Sequence, residues 1–242
     1  MPNSKRLILV INDSSCVGPY RTLRAEKDLL FSEDPQTIFR DPSRVAHVVF
    51  TGGEDVGPDL YGKSRHPHTH DSPKRDRDEL RIFDQAYKHG ISMSGICRGA
   101  QFLCVMAGGE LVQDIIGHGR DHELLVQESG RVERITVNSA HHQMQLPFYR
   151  LRPDQYQLIG WMEKPLSRYY GLDRTEEIAV EDADEWLVKE PDIVYYPEIR
   201  ALATQFHPEW LSRWHPASRL YGRLLNTYVA PLIYDQDRAT TR

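Results

Sequence analysis

The chain has 242 residues, of which 40% are hydrophobic and 27% charged, and its formal net charge at pH 7 is −5. Without a block of basic residues, this balance argues against a nucleic acid or an anionic membrane as a partner. No apolar run approaches the ~18 residues of a membrane helix. We therefore expect a soluble protein that forms a single domain over residues 1–242, with a polar tail after about residue 234.

The cysteines and the N-terminal sequence bear on the cellular compartment. The 3 cysteines have no paired spacing, which favours reduced thiols and a cytoplasmic location over a disulfide framework. The apolar run from Leu7 to Ile11 is shorter than the core of a signal peptide. Two of the cysteines, Cys16 and Cys104, are expected to be buried and structural, because unpaired cysteine packs as a small hydrophobe.

In the first half of the chain, short apolar runs alternate with helical patterns. Strands are predicted at Arg6 to Ile11, Val45 to Phe50 and Ile91 to Ile96, and helices from Asp76 to His89 and from Cys97 to Gly108-Gly109. Strand-helix-strand units of this kind build a parallel sheet.

The second half of the chain has short β-like runs separated by polar turns. These runs are Val132 to Val137, Tyr156 to Trp161, Ile193 to Tyr196 and Ala201 to Phe206. We expect the last two to pair through a turn at Pro197-Glu198. A final helix is predicted from about Pro216 to Val229, because its leucines recur on one face.

Cys97 is the candidate nucleophile. It lies in the run Gly95-Ile96-Cys97-Arg98-Gly99, at the junction of a predicted strand and a predicted helix. Glycines two residues to either side permit the sharp turn that raises a nucleophile above the end of a parallel sheet. The same turn aims the thiol at a helix N-terminus, where a thiolate is favoured.

A base and two oxyanion donors complete this candidate site. His207 ends a β-like run two residues before Glu209, so the carboxylate can orient the imidazole that activates Cys97. The backbone amide of Arg98 and one from the turn at Gly53 are the candidate oxyanion donors, because glycine lets the main chain approach closely. These residues predict acyl transfer on a cysteine.

With these motifs in order, the sequence resembles the class I glutamine amidotransferase-like family, and within it the γ-glutamyl-γ-aminobutyrate hydrolase-like (peptidase C26-like) branch. The matching segments are Gly52 to Gly62, Arg75-Asp76 with Glu79, Gly95 to Gln101, Gly108 to Asp114, Asn138 to Gln143, and His207-Pro208-Glu209.

The resemblance implies an α/β fold of Rossmann-like (flavodoxin-like) type, with a mostly parallel central sheet flanked by helices and additional hairpin strands in the C-terminal half. It implies a γ-glutamyl thioester on Cys97 and hydrolysis of a γ-glutamyl amide. It also implies that Gln101, His141 and His142 hold the glutamyl end of the substrate. The chain departs from the branch at Cys104, where asparagine is usual, and in the acidic stretch Tyr169 to Pro191.

Three functions follow from this resemblance. The first is a glutaminase that releases ammonia from L-glutamine for a separate synthetase, since the chain has no glycine-rich ATP site of its own. The second is a free-standing hydrolase of γ-glutamyl amines or peptides. The third is a catalytically silent binding subunit, against which the joint presence of Cys97, His207 and Glu209 argues.

Other polar residues receive structural interpretations. The histidines between His66 and Asp71 are suitable metal ligands, but a proline-interrupted polar loop over the pocket explains them more simply. We expect neither a metal ion nor a cofactor. Asp55, Arg75, Asp76 and Glu79 are expected to fix the loop and helix near the site. Of His141 and His142, one is expected to face the pocket and the other to form its wall.

Overall fold

In this computed structural model, residues 6–12, 14–23 and 29–233 are described. The strands are β1 (Leu7–Ile11), β2 (Leu30–Ser32), β3 (Val45–Phe50), β4 (Ser92–Ile96), β5 (Glu110–Val112), β6 (His122–Glu128), β7 (Arg131–Val137), β8 (Met144–Leu146), β9 (Gln157–Trp161), β10 (Tyr169–Gly171), β11 (Glu177–Ala179), β12 (Pro191–Tyr196) and β13 (Ala201–Thr204). The α-helices are α1 (Gln36–Arg40), α2 (Pro73–Lys88), α3 (Arg98–Met106) and α4 (Pro216–Leu224), the last continued by a π-helical turn, Leu225–Val229. The 3₁₀ helices are Ser14–Tyr20, Pro42–Arg44, Pro58–Tyr61, Val180–Asp182, Leu187–Lys189 and Pro208–Trp210. The predicted polar tail lies outside the described residues.

A nine-stranded sheet in the order β2-β1-β3-β4-β13-β12-β9-β6-β7 organises the fold. Strands β2, β1, β3, β4 and β13 are parallel to one another, and β12, β9, β6 and β7 extend the sheet in antiparallel pairings. This is the α/β Rossmann-like architecture expected from the sequence, with the predicted hairpin of β12 and β13. The neighbours β3, β4 and β13 all end at one edge, where sites of open α/β sheets form.

The two faces of the sheet are covered by different helices. Alternate residues of β1 separate into two apolar clusters, Ile8 and Val10 in one, Leu9 and Ile11 in the other. The first cluster includes the buried face of α4, and the second includes the buried faces of α2 and α3. Strands covered on both sides become continuously apolar, which is why β1 and β3 are recognisable in the sequence.

Most predicted elements are confirmed, with shifts at their ends. Helix α2 begins three residues before its predicted start because Ser72 caps it and proline occupies its first turn. The strands that the sequence did not predict include β2, β5, β8, β10 and β11, each three residues long. Such segments are too short for a periodic pattern and depend on their partners in space.

The cysteines behave as expected from composition. Cys16, Cys97 and Cys104 are all buried and lie outside any disulfide bond. Among the helices of the described ranges, none is long and apolar enough to cross a bilayer.

Candidate active site

Cys97 occupies a strained turn between β4 and α3. Its backbone has φ 53° and ψ −112°, a conformation that costs a non-glycine residue about 1–3 kcal/mol. The turn is held on both sides, because the Cys97 N–H donates to Thr204 O at 2.8 Å and the Cys97 carbonyl accepts from Ala100 N at 3.0 Å. The surrounding sheet and helix therefore impose the conformation that presents the thiol.

The two flanking glycines are required by close packing. A Cβ at Gly95 would overlap the carbonyl group of Gly99, and a Cβ at Gly99 would overlap the carbonyl oxygen of Phe50. Helix α3 can thus begin directly above β3 and β4 only if both positions lack side chains. These two contacts explain why the tight strand-to-helix turn predicted from the sequence has glycine at both positions.

His207 lies between Cys97 and Glu209. The imidazole lies beside the Cys97 side chain, since a Cβ built on Gly52 would meet both residues, and its Nδ1 lies 2.7 Å from Glu209 Oε1. Asn138 fixes the His207 backbone from the neighbouring loop: its Nδ2 donates to His207 O at 2.9 Å and its Oδ1 accepts from His207 N at 3.2 Å. The structure therefore brings together the three residues selected from the sequence, and Asn138 is a support that the sequence did not predict.

The electrostatic environment of His207 favours its charged form. Burial opposes the charge, but the hydrogen bonds and the negative charges of Cys97 and Glu209 outweigh burial and raise the pKa of His207 to about 9. At neutral pH the imidazole is then an imidazolium beside the sulfur, the protonation state needed to supply a proton to a leaving amine.

Arg75 holds the glycine turn that follows β3. Its Nη2 donates to the carbonyl oxygens of Thr51 and Gly52, each at 3.0 Å. The Gly52 carbonyl and the Gly53 N–H belong to one planar trans peptide, so fixing the first directs the second. A Cβ built on Gly52 would lie 3.3 Å from His207 Cε1 and 3.7 Å from Cys97 Cβ. The turn is therefore adjacent to the thiol, and Arg75 sets its orientation.

The side chain of Arg98 is turned into a buried ion-pair network. Its guanidinium pairs with Asp76 and Glu79 of α2, and its Nε donates to Glu54 O at 3.1 Å. Glu79 also accepts from Arg75 Nε at 2.8 Å. Arg98 thus offers the site its backbone N–H, which has no helical acceptor in the first turn of α3, while its side chain braces the glycine turn.

We expect Gly53→Ala to lower kcat by about 10²-fold, the typical effect of losing one oxyanion donor. Gly53 has φ 139°, which strains any other residue, and a Cβ there would overlap the Arg75 guanidinium, so the turn that carries the donor or the guanidinium that holds it must shift. Steady-state kinetics compare this variant with Gly18→Ala, whose Cβ would meet no atom within 4 Å. Equal kcat values for Gly53→Ala and the unchanged protein would remove Gly53 from the proposed oxyanion site.

The three candidate substrate-binding residues have different surroundings. Gln101 is buried and its Nε2 donates to Gln143 O at 2.9 Å. His141 is also buried, its Nδ1 lies 2.8 Å from Gln143 O, and burial lowers its pKa well below the usual value. By contrast, the His142 side chain is 42% exposed and lies between Asp55 and Asp114. His141 is therefore the buried histidine of the pair, and His142 is the one open to solvent.

The loop from His66 to Asp71 meets Asp114 in a hydrogen-bonded cluster. Ligand atoms of His66, His68 and Asp114 lie within 4.8 Å of one another. However, His68 Nδ1 is 2.9 Å from Asp114 Oδ2, and Tyr169 donates to that oxygen at 2.6 Å. His66 Nδ1 accepts from the His68 backbone at 3.3 Å. These contacts account for the cluster without a metal ion, and the absence of a metal stays a prediction.

Known proteins resemble this chain in sequence. Residues 29–148 match the Peptidase C26 family. Over 89 residues the chain is 40% identical to a Mycobacterium tuberculosis protein provisionally named a glutamine amidotransferase, covering 35% of this chain and 29% of that protein. Over 181 residues it is 25% identical to γ-glutamyl-γ-aminobutyrate hydrolase of Escherichia coli O157:H7, covering 69% of this chain and 64% of that protein. Both matches span less than two thirds of the relative's length.

A solved structure resembles the chain over nearly its whole length. The structure of a glutamine amidotransferase from Thermotoga maritima aligns with a TM-score of 0.56 at 16% identity, covering 98% of this chain and 92% of that one. At this identity the likeness shows the fold.

Proposed function

Because this chain belongs to the class I glutamine amidotransferase-like proteins, in their peptidase C26-like branch, we propose that it hydrolyses a γ-glutamyl amide through a thioester on Cys97. The observation that carries the proposal is the contact of Cys97 with His207, whose Nδ1 is 2.7 Å from Glu209 Oε1. A strained thiol, a base and an orienting carboxylate form the arrangement of covalent acyl transfer.

Acylation uses the proton that His207 has taken from the thiol. The Cys97 sulfur attacks the γ-carbonyl carbon, and the carbonyl π electrons move onto oxygen, where the N–H groups of Gly53 and Arg98 stabilise the negative charge. The C–N bond then breaks as His207 donates its proton to the leaving nitrogen. Ammonia or an amine departs, and the glutamyl group remains as a thioester on Cys97.

Deacylation reverses these roles with water as the nucleophile. His207 removes a proton from water as the oxygen attacks the thioester carbon, and the C–S bond breaks when the second oxyanion collapses. The proton held by His207 returns the site to its starting state, and glutamate leaves. Glu209 keeps the imidazole in one orientation through both steps. Gln101, His141 and His142 are proposed to line the glutamyl side of the pocket.

Glutamine is the first proposed substrate, with the released ammonia passing to a synthetase on a separate chain. A second candidate is a free-standing hydrolase of γ-glutamyl amines. It is favoured by the similarity to the E. coli protein named γ-glutamyl-γ-aminobutyrate hydrolase, which extends over 69% of this chain.

A substrate panel separates these functions. The purified protein and Cys97→Ala are incubated with L-glutamine and with γ-glutamyl amides of different amines, and released ammonia or amine is measured. We expect Cys97-dependent release. Preference for glutamine supports the glutaminase, and preference for a γ-glutamyl amine supports the free-standing hydrolase. No release from any substrate, with no glutamyl mass on Cys97, would exclude both enzymatic functions.

A further inference from the structure

Trp210 covers one face of the imidazole of His207. The two rings are stacked, with centroids 3.6 Å apart and planes within 3° of parallel. The Trp210 residue is nevertheless 60% exposed, so its indole lies between the imidazole and solvent. The local backbone explains why this exposed tryptophan lies flat against a buried histidine, and the contact affects the charge of that histidine.

The local cause is the short 3₁₀ helix Pro208–Trp210. His207 is its N-cap residue, proline occupies its first turn, and Trp210 N donates to His207 O at 3.3 Å. A 3₁₀ helix has three residues per turn, so side chains at positions i and i+3 eclipse each other. The backbone that places Glu209 beside Nδ1 of His207 therefore also places Trp210 over the ring.

The stacking geometry favours a charged imidazole. Neutral aromatic rings avoid direct face-to-face stacking because the negative faces of their π systems repel each other. A cation over the face of an indole is instead attracted by the same quadrupole, and tryptophan is the strongest such partner. A parallel stack at 3.6 Å thus suits imidazolium better than neutral imidazole.

We propose that Trp210 is a positioning residue that keeps the imidazole of His207 in the plane set by Glu209 and stabilises its charged form. The proposal rests on the proposed function to the extent that His207 serves there as base and acid. In this proposal Trp210 acts through the ring beneath it and not directly on the thiol or the substrate.

Three other titratable groups interact with His207, and Glu209 is the one that shares the 3₁₀ helix of Trp210. Cys97 at the start of α3 and Glu209 on the same loop both favour the charged ring. His141, from the loop after β7, is influenced by the charge of His207, but its own burial keeps it neutral. Trp210 carries no charge, so a change there removes none of these three groups, and its effect on His207 is separable from theirs.

The choice of substitution decides the test. Alanine would remove the π system and also admit water to the ring, and water would stabilise the imidazolium, so the two effects would oppose each other. Leucine keeps an apolar cover and removes only the π face. Phenylalanine restores a weaker π face. The exposed Trp214, 66% accessible and lying under Arg213, provides a control at Trp214→Leu.

The titration of His207 is followed by NMR of the imidazole Cε1–Hε1 group in substrate-free protein, with the signal assigned from its absence in His207→Asn. We expect Trp210→Leu to lower the pKa of His207 by about 0.4 to 1.5, the size of an exposed to partly desolvated cation–π contact. Trp210→Phe should lower it less, and Trp214→Leu should leave it unchanged. With any substrate that is turned over, the alkaline limb of the kcat profile should move to lower pH in parallel.

Other outcomes of the His207 titration would contradict the proposal. A His207 titration that stays in place or rises in Trp210→Leu would overturn the proposal, as would equal decreases in the leucine and phenylalanine variants or a matching decrease in Trp214→Leu. Since the titration requires no substrate, failure of the substrate panel leaves this test intact. A normal panel result with an unmoved titration would reject the role of Trp210 alone.

Discussion

We expect Cys97→Gly and Cys97→Ala to be equally inactive, but the glycine variant to be more stable than the alanine variant by about 1–2 kcal/mol. Both lack the sulfur, so turnover should fall by at least about 10⁴-fold, the scale of losing a covalent nucleophile. In an ordinary helix or strand, glycine is instead less stable than alanine by about 0.5–1 kcal/mol. The predicted order of stability is therefore reversed at this one position.

The reversal follows from the backbone of the strained turn at Cys97. With φ 53° and ψ −112°, residue 97 lies outside the regions that side chains favour, and a β-carbon there is strained by about 1–3 kcal/mol. Alanine keeps that strain, whereas glycine relieves it. Comparing the two inactive variants with each other cancels the contacts that the thiol makes with His207.

Urea unfolding measures the stability difference, and intact-protein mass spectrometry with substrate measures the acyl-enzyme. Cys104→Ala is the matched control, because it removes a buried thiol from the same helix and should retain both turnover and the acyl mass. If the alanine variant were as stable as the glycine variant, the claim of backbone strain at residue 97 would be contradicted. Turnover that survives both changes would contradict the nucleophile.

The sequence predicted those parts of the site that depend on local patterns. Gly95, Cys97 and Gly99 form one turn, and His207 and Glu209 are two residues apart, so their local arrangement could be predicted from the sequence. Trp210 had a local signal as well, since it lies three residues beyond His207 with Pro208 between them. That spacing predicts that Trp210 lies over His207 only once the segment is known to form a 3₁₀ helix, in which side chains three residues apart eclipse each other.

The parts of the site that the sequence did not predict depend on distant segments. Asn138 supports His207 from a loop 69 residues away, and His68 meets Asp114 across 46 residues. Strand β6 pairs with both β7 and β9, although β7 and β8 lie between β6 and β9 in the sequence. The residue pattern within one segment cannot predict these contacts, because each contact depends on a distant partner that comes close only in the folded chain.

The second large effect is expected at Arg98, which is 1% exposed. We expect Arg98→Met to lower the free energy of unfolding by about 3–5 kcal/mol, because it leaves Asp76 buried without its cation and Glu79 paired with Arg75 alone. Methionine fills much of the same space, so the loss reports the charges more than a cavity. The glycine turn should loosen too, since Arg98 Nε donates to Glu54 O at 3.1 Å, and kcat should fall with stability.

The pH dependence of this loss identifies its origin. Burial raises the pKa of Asp76 and the charge of Arg98 opposes that rise, so removing Arg98 raises the pKa further. A carboxyl group whose folded pKa exceeds its unfolded value loses stability as pH increases between the two values. The deficit of Arg98→Met should consequently shrink toward acid pH, where Asp76 is protonated in both states.

Urea unfolding of Arg98→Met between pH 4 and 8 tests both the size and the sign. Lys74→Met, which breaks an exposed pair with Asp78 on the same helix, should cost no more than about 0.5 kcal/mol at any of these pH values. Adding Asp76→Asn to Arg98→Met removes the carboxylate left without a cation, while Glu79 keeps its pair with Arg75, and should recover much of the loss. A deficit that is independent of pH and persists in the double variant would mean that Arg98 stabilises the fold by packing, and that Asp76 does not depend on it.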